Sequence, residues 1–233
     1  MSAGDHRGES VGLSIAALVL ASLIPMAAAG PFGELPYGLF VLLAGYAGIA
    51  LTLVITGTAG DDWMAAAERP GAAIVWAGCW VAMVLAIAAV VVTAQTMDLR
   101  NGVLAQENTL PYLLLQPVAA LGFVLALAVA VSHGVRPPMG DAPSARRLAE
   151  GLHLLVGCAV GGTLFLGGYS GPFLSGPAWL LAKAGALMLA VLALSRRLSG
   201  LPDERRRGLA WRVLAPAALL NLIATLVAVG RPR

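Results

Sequence analysis

Apolar runs close to 20 residues long recur along this chain of 233 residues, and they constrain its fold more than any other feature. A helix needs roughly 20 apolar residues to cross a bilayer, and a backbone inside lipid must satisfy its hydrogen bonds internally. Hydrophobic residues make up 59% of the chain and charged residues 12%, which excludes an ordinary water-soluble globular protein. The sequence therefore predicts an all-α fold, a single polytopic transmembrane helical bundle.

About seven spans can be drawn through the apolar runs, and the loops between them hold most of the Pro, Gly and charged residues. The first run lacks the cationic flank of a cleavable signal peptide, so we interpret it as a retained helix. Together the spans form one membrane domain over residues 11–229. Their predicted bounds are residues 11–29, 35–56, 72–93, 110–132, 148–168, 178–195 and 211–229.

Arginine is spread unevenly over the predicted loops, and this asymmetry predicts an orientation. The third loop and the C-terminal tail hold Arg100, Arg231 and Arg233. By the positive-inside rule, residues 1–10 form a cytoplasmic tail and residues 230–233 an external one, in an inner membrane of the bacterial type. The net charge of +3 follows from this topology, so we expect no nucleic-acid partner. The N-terminal tail and the second, fourth and sixth loops hold Arg7, Arg69, Arg136, Arg146, Arg147, Arg196, Arg197, Arg205, Arg206, Arg207 and Arg212.

The third and sixth loops carry further signals. In MDLRNGVLAQENTL (residues 97–110), Met97, Leu99, Val103 and Leu104 predict one apolar face of a short helix that lies in the external membrane interface. The run DERRR at residues 203–207 is either topological charge or a docking patch for an acidic peripheral subunit, and we favour topological charge.

Lys183 lies near the start of the sixth predicted span, in WLLAK. A charge within the hydrocarbon layer costs at least ~2.5–3.5 kcal/mol on insertion scales, so such residues are seldom retained without a reason. Two interpretations remain open. The ammonium group either snorkels to the lipid headgroups, or it is a buried cation that pairs with a carboxylate or lines a hydrated path.

Polar residues near the cytoplasmic side predict a polar pocket there. Glu150 and His153 are one helical turn apart at the start of the fifth span, where they could share a proton, although Glu150 could also serve as an acid at a helix N-terminus. Arg136 and Asp141 lie in the Pro-rich loop VRPPMGDAP, which we expect to be a shaped loop or simply a solvated one.

Two amides are expected to make polar contacts between helices. Asn221 lies in the middle of the seventh span, where an amide must find a partner, and Gln116 lies in the fourth. The three His and two Cys residues are scattered, so we expect neither a metal site nor a self-contained active site in this chain.

Five stretches between residue 110 and the C-terminus resemble, in order, the motifs of one family of membrane proteins. They are LLLQPVAALGF with Gln116, VRPP with Arg136, LAEGLHLLVGCAVGGTLF with Glu150, TLFLGGYSGP followed by GPAWLLAK with Lys183, and RRGLAWRVLAPAALLNLIAT with Asn221. The family is the membrane subunit of respiratory complex I that is called subunit 1 in mitochondria and is lettered H in bacteria. It also serves the group 4 membrane-bound hydrogenases.

The chain also departs from the family pattern. The family has eight spans, and the first of them is missing here. Two family glutamates are replaced by Trp80 and His133, and the acidic cytoplasmic loop is shortened to Asp141. The resemblance therefore implies a reduced member, in which Glu150, Lys183, Arg136, Asp141 and His153 are the residues expected to serve a proton or ion path or its coupling.

The resemblance implies a non-catalytic integral membrane subunit of a complex I-like or hydrogenase-like oxidoreductase, one that docks the electron-transfer arm to the membrane. Quinone binding and proton or ion coupling are expected contributions. The chain itself is expected to bind no other cofactor, because iron–sulfur clusters and other redox centres would belong to hydrophilic partners on the cytoplasmic face. Further partners are the lipid bilayer and other membrane subunits, antiporter-like ones included. The alternatives are a free-standing seven-helix carrier or channel and a purely structural membrane anchor.

Overall fold

The computed structural model describes residues 12–24 in part, 37–56, 63–134, 144–171, 173 and 176–230. Helical residues among 12–22 come first, and we number the helices that follow. They are α1 (Gly38–Thr56), α2 (Trp63–Ala94), α3 (Leu99–Glu107), α4 (Tyr112–Leu115), α5 (Pro117–Gly134), α6 (Ser144–Phe165), α7 (Gly176–Leu198) and α8 (Asp203–Val229).

The helices confirm the predicted all-α membrane bundle. Within the described residues, three helical stretches are long and apolar enough to cross a bilayer, namely Gly71–Ala94 of α2, all of α7 and all of α8. Gly38–Ala50, Pro117–Ser132 and Glu150–Phe165 are shorter apolar helices. Six of the seven predicted spans therefore overlap a described helix, while the first, at residues 11–29, is described only in part.

Two predicted boundaries are wrong, each for a local reason. The fourth span is broken at Gln116, whose φ of −132° and ψ of 56° are not helical. Pro117 explains the break, because its ring disfavours helical geometry in the residue before it and it suits the first turn of a new helix. The seventh span begins at Asp203 rather than at residue 211, because the charged DERRR run continues the apolar helix as its first turns.

Helix α5 lies at the centre of the bundle. It packs against α2, α6, α7 and α8, and α2 in turn packs against α8 and α1. Small side chains allow this close approach, because membrane helices associate through van der Waals packing rather than through a hydrophobic driving force. The fully or nearly fully buried residues of α5 include Ala119, Ala120, Ala126, Ala128 and Val129.

The short helix predicted in the third loop is present as α3, but it faces the protein rather than lipid. Asp98 caps its N-terminus by accepting a hydrogen bond of 2.8 Å from the backbone N–H of Arg100. Leu99 and Val103 are buried in the bundle, whereas Met97 is 49% exposed. The predicted helix is therefore confirmed with Leu99 and Val103 packed against the bundle, while its position in the membrane interface stays a prediction.

The bundle has two ends, which we name by their residues. The glycine end carries the turn at residues 166–170, which follows α6, and helix α3. The arginine end carries the connection between α7 and α8 at residues 199–202. Helix α7 runs from the first end to the second, since it begins after the glycine turn and ends in Arg196, Arg197 and Leu198.

Candidate functional site

The turn after α6 is built around two glycines in the left-handed region. Gly167 has φ +73° and Gly168 has φ +50°, values that other residues rarely adopt. The N–H groups of Leu166 and Gly168 both donate to the carbonyl of Gly162, at 3.1 and 3.0 Å. A β-carbon on Gly168 would also lie 2.8 Å from Val103 of α3. Glycine is thus required here both for backbone geometry and for the approach of α3.

Lys183 of α7 holds this turn from the neighbouring helix. Its Nζ donates to the carbonyl of Gly168 at 2.9 Å and to the carbonyl of Ser170 at 2.6 Å, and it lies 5.5 Å from the ring centroid of Trp179. A cation is favourable here, because carbonyl oxygens and the negative end of the helix dipole converge at a helix C-terminus. Lys183 thus contacts backbone carbonyls and an indole ring. From the sequence, we had expected a carboxylate, a hydrated path or the lipid headgroups.

Helix α3 fastens the same turn from the other side. Gln106 Nε2 donates to the carbonyl of Thr163 at 3.1 Å, and Gln106 Oε1 accepts from the N–H of Tyr112 at 3.1 Å. Ser170 Oγ donates to the carboxylate of Glu107. These side chains line or adjoin a cavity of about 10 Å³ beside Gln106, with room for roughly one water molecule. The glycine turn is therefore tied to α3 and α7 by polar contacts, and Gln106 links α3 to the end of α6 and to α4.

Tyr169 lies in the turn itself and is buried. Burial raises the pKa of its phenol above the ordinary value, the charge of Glu107 adds to this rise, and Arg100 opposes it. The phenol therefore stays protonated at neutral pH.

Gln116, at the break between α4 and α5, is the centre of a second polar network. Its Nε2 donates to Thr93 Oγ1 of α2 and to Thr225 Oγ1 of α8, both at 3.0 Å. Its Oε1 accepts from Asn221 Nδ2 of α8 at 2.9 Å. The structure thus brings together the two amides selected from the sequence, and Gln116 joins three helices at the glycine end.

Arg206 performs at the arginine end the task that Lys183 performs at the glycine end. Its side chain is 3% exposed, forms an ion pair with Asp203, and donates from Nη1 to the carbonyl of Ser132 at 3.2 Å. That carbonyl lies in the last turn of α5, where a cation is again favourable. The sequence did not predict this contact for Arg206, and the interpretation of the run as topological charge stays a prediction. Its neighbours Arg205 and Arg207 are exposed, and no signal in the run DERRR distinguishes the three.

Trp211 anchors the start of α8 to α2. Its Nε1 donates to the carbonyl of Ile74 at 2.8 Å, and a β-carbon on Gly78 would lie only 2.8 Å from the same nitrogen. Trp211 belongs to a π-helical turn at Leu209–Leu214, a feature that shifts the phase of a helix. The indole of Trp211 therefore packs over Gly78 and holds the arginine end of α8 against α2.

Four aromatic rings form a column that joins α2, α1 and α6. Trp76 and Trp80 of α2 stack at 5.8 Å between centroids, Trp80 stacks on Tyr46 of α1 at 5.8 Å, and Tyr46 stacks on His153 of α6 at 4.0 Å. Tyr46 Oη and His153 Nδ1 are buried and have no hydrogen-bond partner among the described residues. Sequence reasoning selected His153 for its spacing from Glu150 but did not find Tyr46.

Among the charged residues selected from the sequence, the two that the structure describes, Glu150 and Lys183, do not come together in one site. Glu150 lies near the start of α6 and is half-buried, whereas Lys183 contacts the turn beyond the other end of that helix. At 1.5 Å per residue, the helix separates them by roughly 25 Å. Arg136 and Asp141 lie outside the described residues, and so does the side chain of His133. Among the residues that the structure describes, no group of three or more His, Cys, Asp or Glu could hold a metal ion.

The chain matches known proteins over its C-terminal part. A family model described as NADH dehydrogenase matches residues 144–226. An NADH-quinone oxidoreductase subunit of Cereibacter sphaeroides, lettered H and numbered 2, is 34% identical over 166 residues, which are 63% of this chain and 51% of that protein. The subunit with the same letter from Thermomicrobium roseum is 36% identical over 135 residues, 49% of this chain and 38% of that protein. The chain thus spans about half, or less, of the length of these relatives. The resemblance drawn from the five motifs is confirmed.

Proposed function

We propose, from this similarity to a membrane subunit of complex I, that the chain is an integral membrane subunit of a complex I-like or hydrogenase-like oxidoreductase and has no self-contained active site. The observation that carries the proposal is the position of the match. Residues 144–226 cover α6, the glycine turn, α7 and most of α8, the part of the bundle that Lys183 and Arg206 fasten.

On this proposal, the arginine end faces the cytoplasm and receives the electron-transfer arm on the side of α1 and the start of α6. Leu148 there is 57% exposed, so apolar surface is available to a partner subunit. Iron–sulfur clusters and other redox centres would then belong to the partner subunits, antiporter-like membrane subunits being further neighbours.

A proton or ion path through this chain would begin at the arginine end, where Glu150 and His153 share one face of α6. Arg136 and Asp141 of the preceding loop would complete it there. Lys183 is roughly 25 Å from this group, and its bonds to two carbonyls favour a structural role over a titrating one. Coupling and stability should therefore respond to different residues.

Quinone binding is part of the proposal only at an interface with partner chains. A ligand pocket usually measures about 300–1,000 Å³. The cavity beside Gln106 measures about 10 Å³ and does not fit a quinone ring. A quinone site would therefore lie elsewhere than in this cavity.

Purification of the native assembly through a tag on this chain tests the proposal. We expect an iron–sulfur subunit at stoichiometric amounts, measured as iron and acid-labile sulfide per chain. Glu150→Lys reverses a charge at the arginine end and should release that subunit. Glu107→Lys makes the same change at the glycine end and is the matched control.

The alternatives predict different results in the same preparation. A free-standing carrier elutes without an iron–sulfur partner and transports its solute in liposomes that contain this chain alone. A purely structural anchor keeps its partners, but Glu150→Gln leaves turnover and proton movement of the assembly unchanged. Either outcome contradicts the corresponding part of the proposal.

A further inference from the structure

Five exposed arginines flank the connection between α7 and α8, and we call them the arginine collar. Within residues 196–212, one exposed acid, Glu204, accompanies them, while Asp203 forms an ion pair with the buried Arg206. This stretch of the chain therefore carries an excess of positive charge. The members of the collar are Arg196, Arg197, Arg205, Arg207 and Arg212.

The collar points in several directions around the helices. Successive residues of a helix are about 100° apart, so Arg196 and Arg197 leave α7 in different directions and Arg205 and Arg207 leave α8 on nearly opposite sides. A flat protein surface would contact one of these directions. Small anionic groups distributed around the hairpin would contact all of them.

Exposed apolar surface begins directly beside the collar. In the apolar 18-residue stretch of α7 and in that of α8, only 22% is buried inside the protein, against 50% in α2. Leu189 of α7 is 71% exposed and Val213 of α8 is 52% exposed, each within two helical turns of a collar arginine. Trp211, 42% exposed, lies at the same level, where amphipathic rings favour a membrane interface. The cationic side chains suit the phosphate headgroup of a lipid, and the exposed apolar faces beside them suit its acyl chains.

We propose that the arginine collar binds the phosphate groups of anionic phospholipids, whose acyl chains lie along the exposed faces of α7 and α8. Guanidinium groups suit this ligand, because their planar donors can bind phosphate oxygens in pairs. The proposal needs no oxidoreductase partner, so its failure and the failure of the proposed function are separate results.

Quenching of Trp211 by brominated lipid tests the proposal on the full chain. The chain is reconstituted in phosphatidylcholine bilayers, and either phosphatidylglycerol or phosphatidylcholine with brominated acyl chains is added. The part of the quenching signal that is lost in Trp211→Phe comes from Trp211 and reports on lipid near the collar. The part that is lost in Trp179→Phe comes from Trp179 and reports on lipid at the opposite end of α7. We expect brominated phosphatidylglycerol to quench Trp211 at a mole fraction about fivefold lower than brominated phosphatidylcholine does, and Trp179 to show no preference.

Salt and matched variants complete the test. High salt should abolish most of the preference in the unmodified chain, which requires no substitution. Arg205→Gln with Arg207→Gln should reduce it severalfold, whereas Arg100→Gln at the glycine end should leave it unchanged. Equal quenching by the two lipids, or a preference that survives salt and the double variant, overturns the proposal. So does a native assembly in which Trp211 is shielded from both lipids by protein.

Discussion

The two ends of the bundle use the same device in different surroundings. At each end, a cation from a later helix donates to carbonyls where an earlier helix finishes, Lys183 beyond α6 and Arg206 at α5. Around Lys183, the supporting contacts between helices come mainly from uncharged amides, such as Gln106 and Gln116. Around Arg206, the contact between helices comes from the indole of Trp211, the ion pair with Asp203 lies within α8, and exposed arginines lie outside. On the two proposals above, the arginine end also serves contacts with other molecules, whereas the glycine end serves internal stability.

The largest expected effect comes from removing the cation at the glycine end. Lys183→Met leaves the carbonyls of Gly168 and Ser170 without their donor, and hydrogen bonds to charged groups contribute about 1.5–3 kcal/mol each. We expect the free energy of unfolding in detergent to fall by about 2–4 kcal/mol. Leu189→Met, on an exposed face of the same helix, is the control and should change it little. If Lys183→Met left stability intact but stopped proton movement in the assembly, a role in the ion path would replace the structural one.

The corresponding change at the arginine end should be somewhat smaller, because Asp203 is partly solvated and can lose its partner at lower cost. Arg206→Gln should lower the free energy of unfolding by about 2–3 kcal/mol. Its exposed neighbour provides the matched variant, since Arg205→Gln should stay within about 0.5 kcal/mol. Equal effects of the two substitutions, measured by thermal unfolding, would remove the distinction between them.

The packing of Trp211 against Gly78 allows the stability of the arginine end to be tested without altering a charge. Gly78→Ala places a β-carbon 2.8 Å from Trp211 Nε1 and 3.0 Å from the β-carbon of Ala210, so the indole must move from the Ile74 carbonyl. We expect a loss of about 1–3 kcal/mol and a shift in tryptophan emission. Gly185→Ala is the control, because nothing lies within 4 Å of its added β-carbon. There the substitution should be neutral or stabilise the helix by up to about 1 kcal/mol.

The smallest effect is expected at the Gln116 network, where the amides share several bonds. A double-mutant cycle with Gln116→Leu and Asn221→Leu should give a coupling energy of about 0.6–1.7 kcal/mol, the range for hydrogen bonds between membrane helices. Strict additivity of the two single substitutions would mean that the 2.9 Å bond between them contributes nothing to stability.

Much of the fold could be predicted because the bilayer imposes its own length and polarity on a sequence. Runs of apolar residues located six described helices, and the spacing of Leu99 and Val103 located α3. The break at Gln116 was not predicted, although Pro117 restricts the residue before it and carried that signal. The partners of the amide were missed too, because Thr93 and Thr225 lie far away along the chain.

The candidate site was less predictable, because its residues act through distant backbone groups. Lys183 was selected because it is a charge in an apolar run. Its partners are backbone carbonyls of a turn, which no pattern of side chains predicts. Arg206 did not stand out, because it has an arginine on each side. Which of the three turns inward depends on the phase of α8 against α5, and the π-helical turn at Leu209–Leu214 belongs to the same helix.

By itself, the sequence determined that this chain is a helical membrane bundle and that it resembles a membrane subunit of complex I, because apolar length and local motifs are properties of contiguous residues. Only the tertiary structure decided that Lys183 and Arg206 each fasten a helix end, that Glu150 lies far from Lys183, and that the five collar arginines are exposed while Arg206 is buried. Helix phase and the packing of α5 decide these relations, since a side chain buried against a neighbouring backbone has the same chemistry in the sequence as one that faces water.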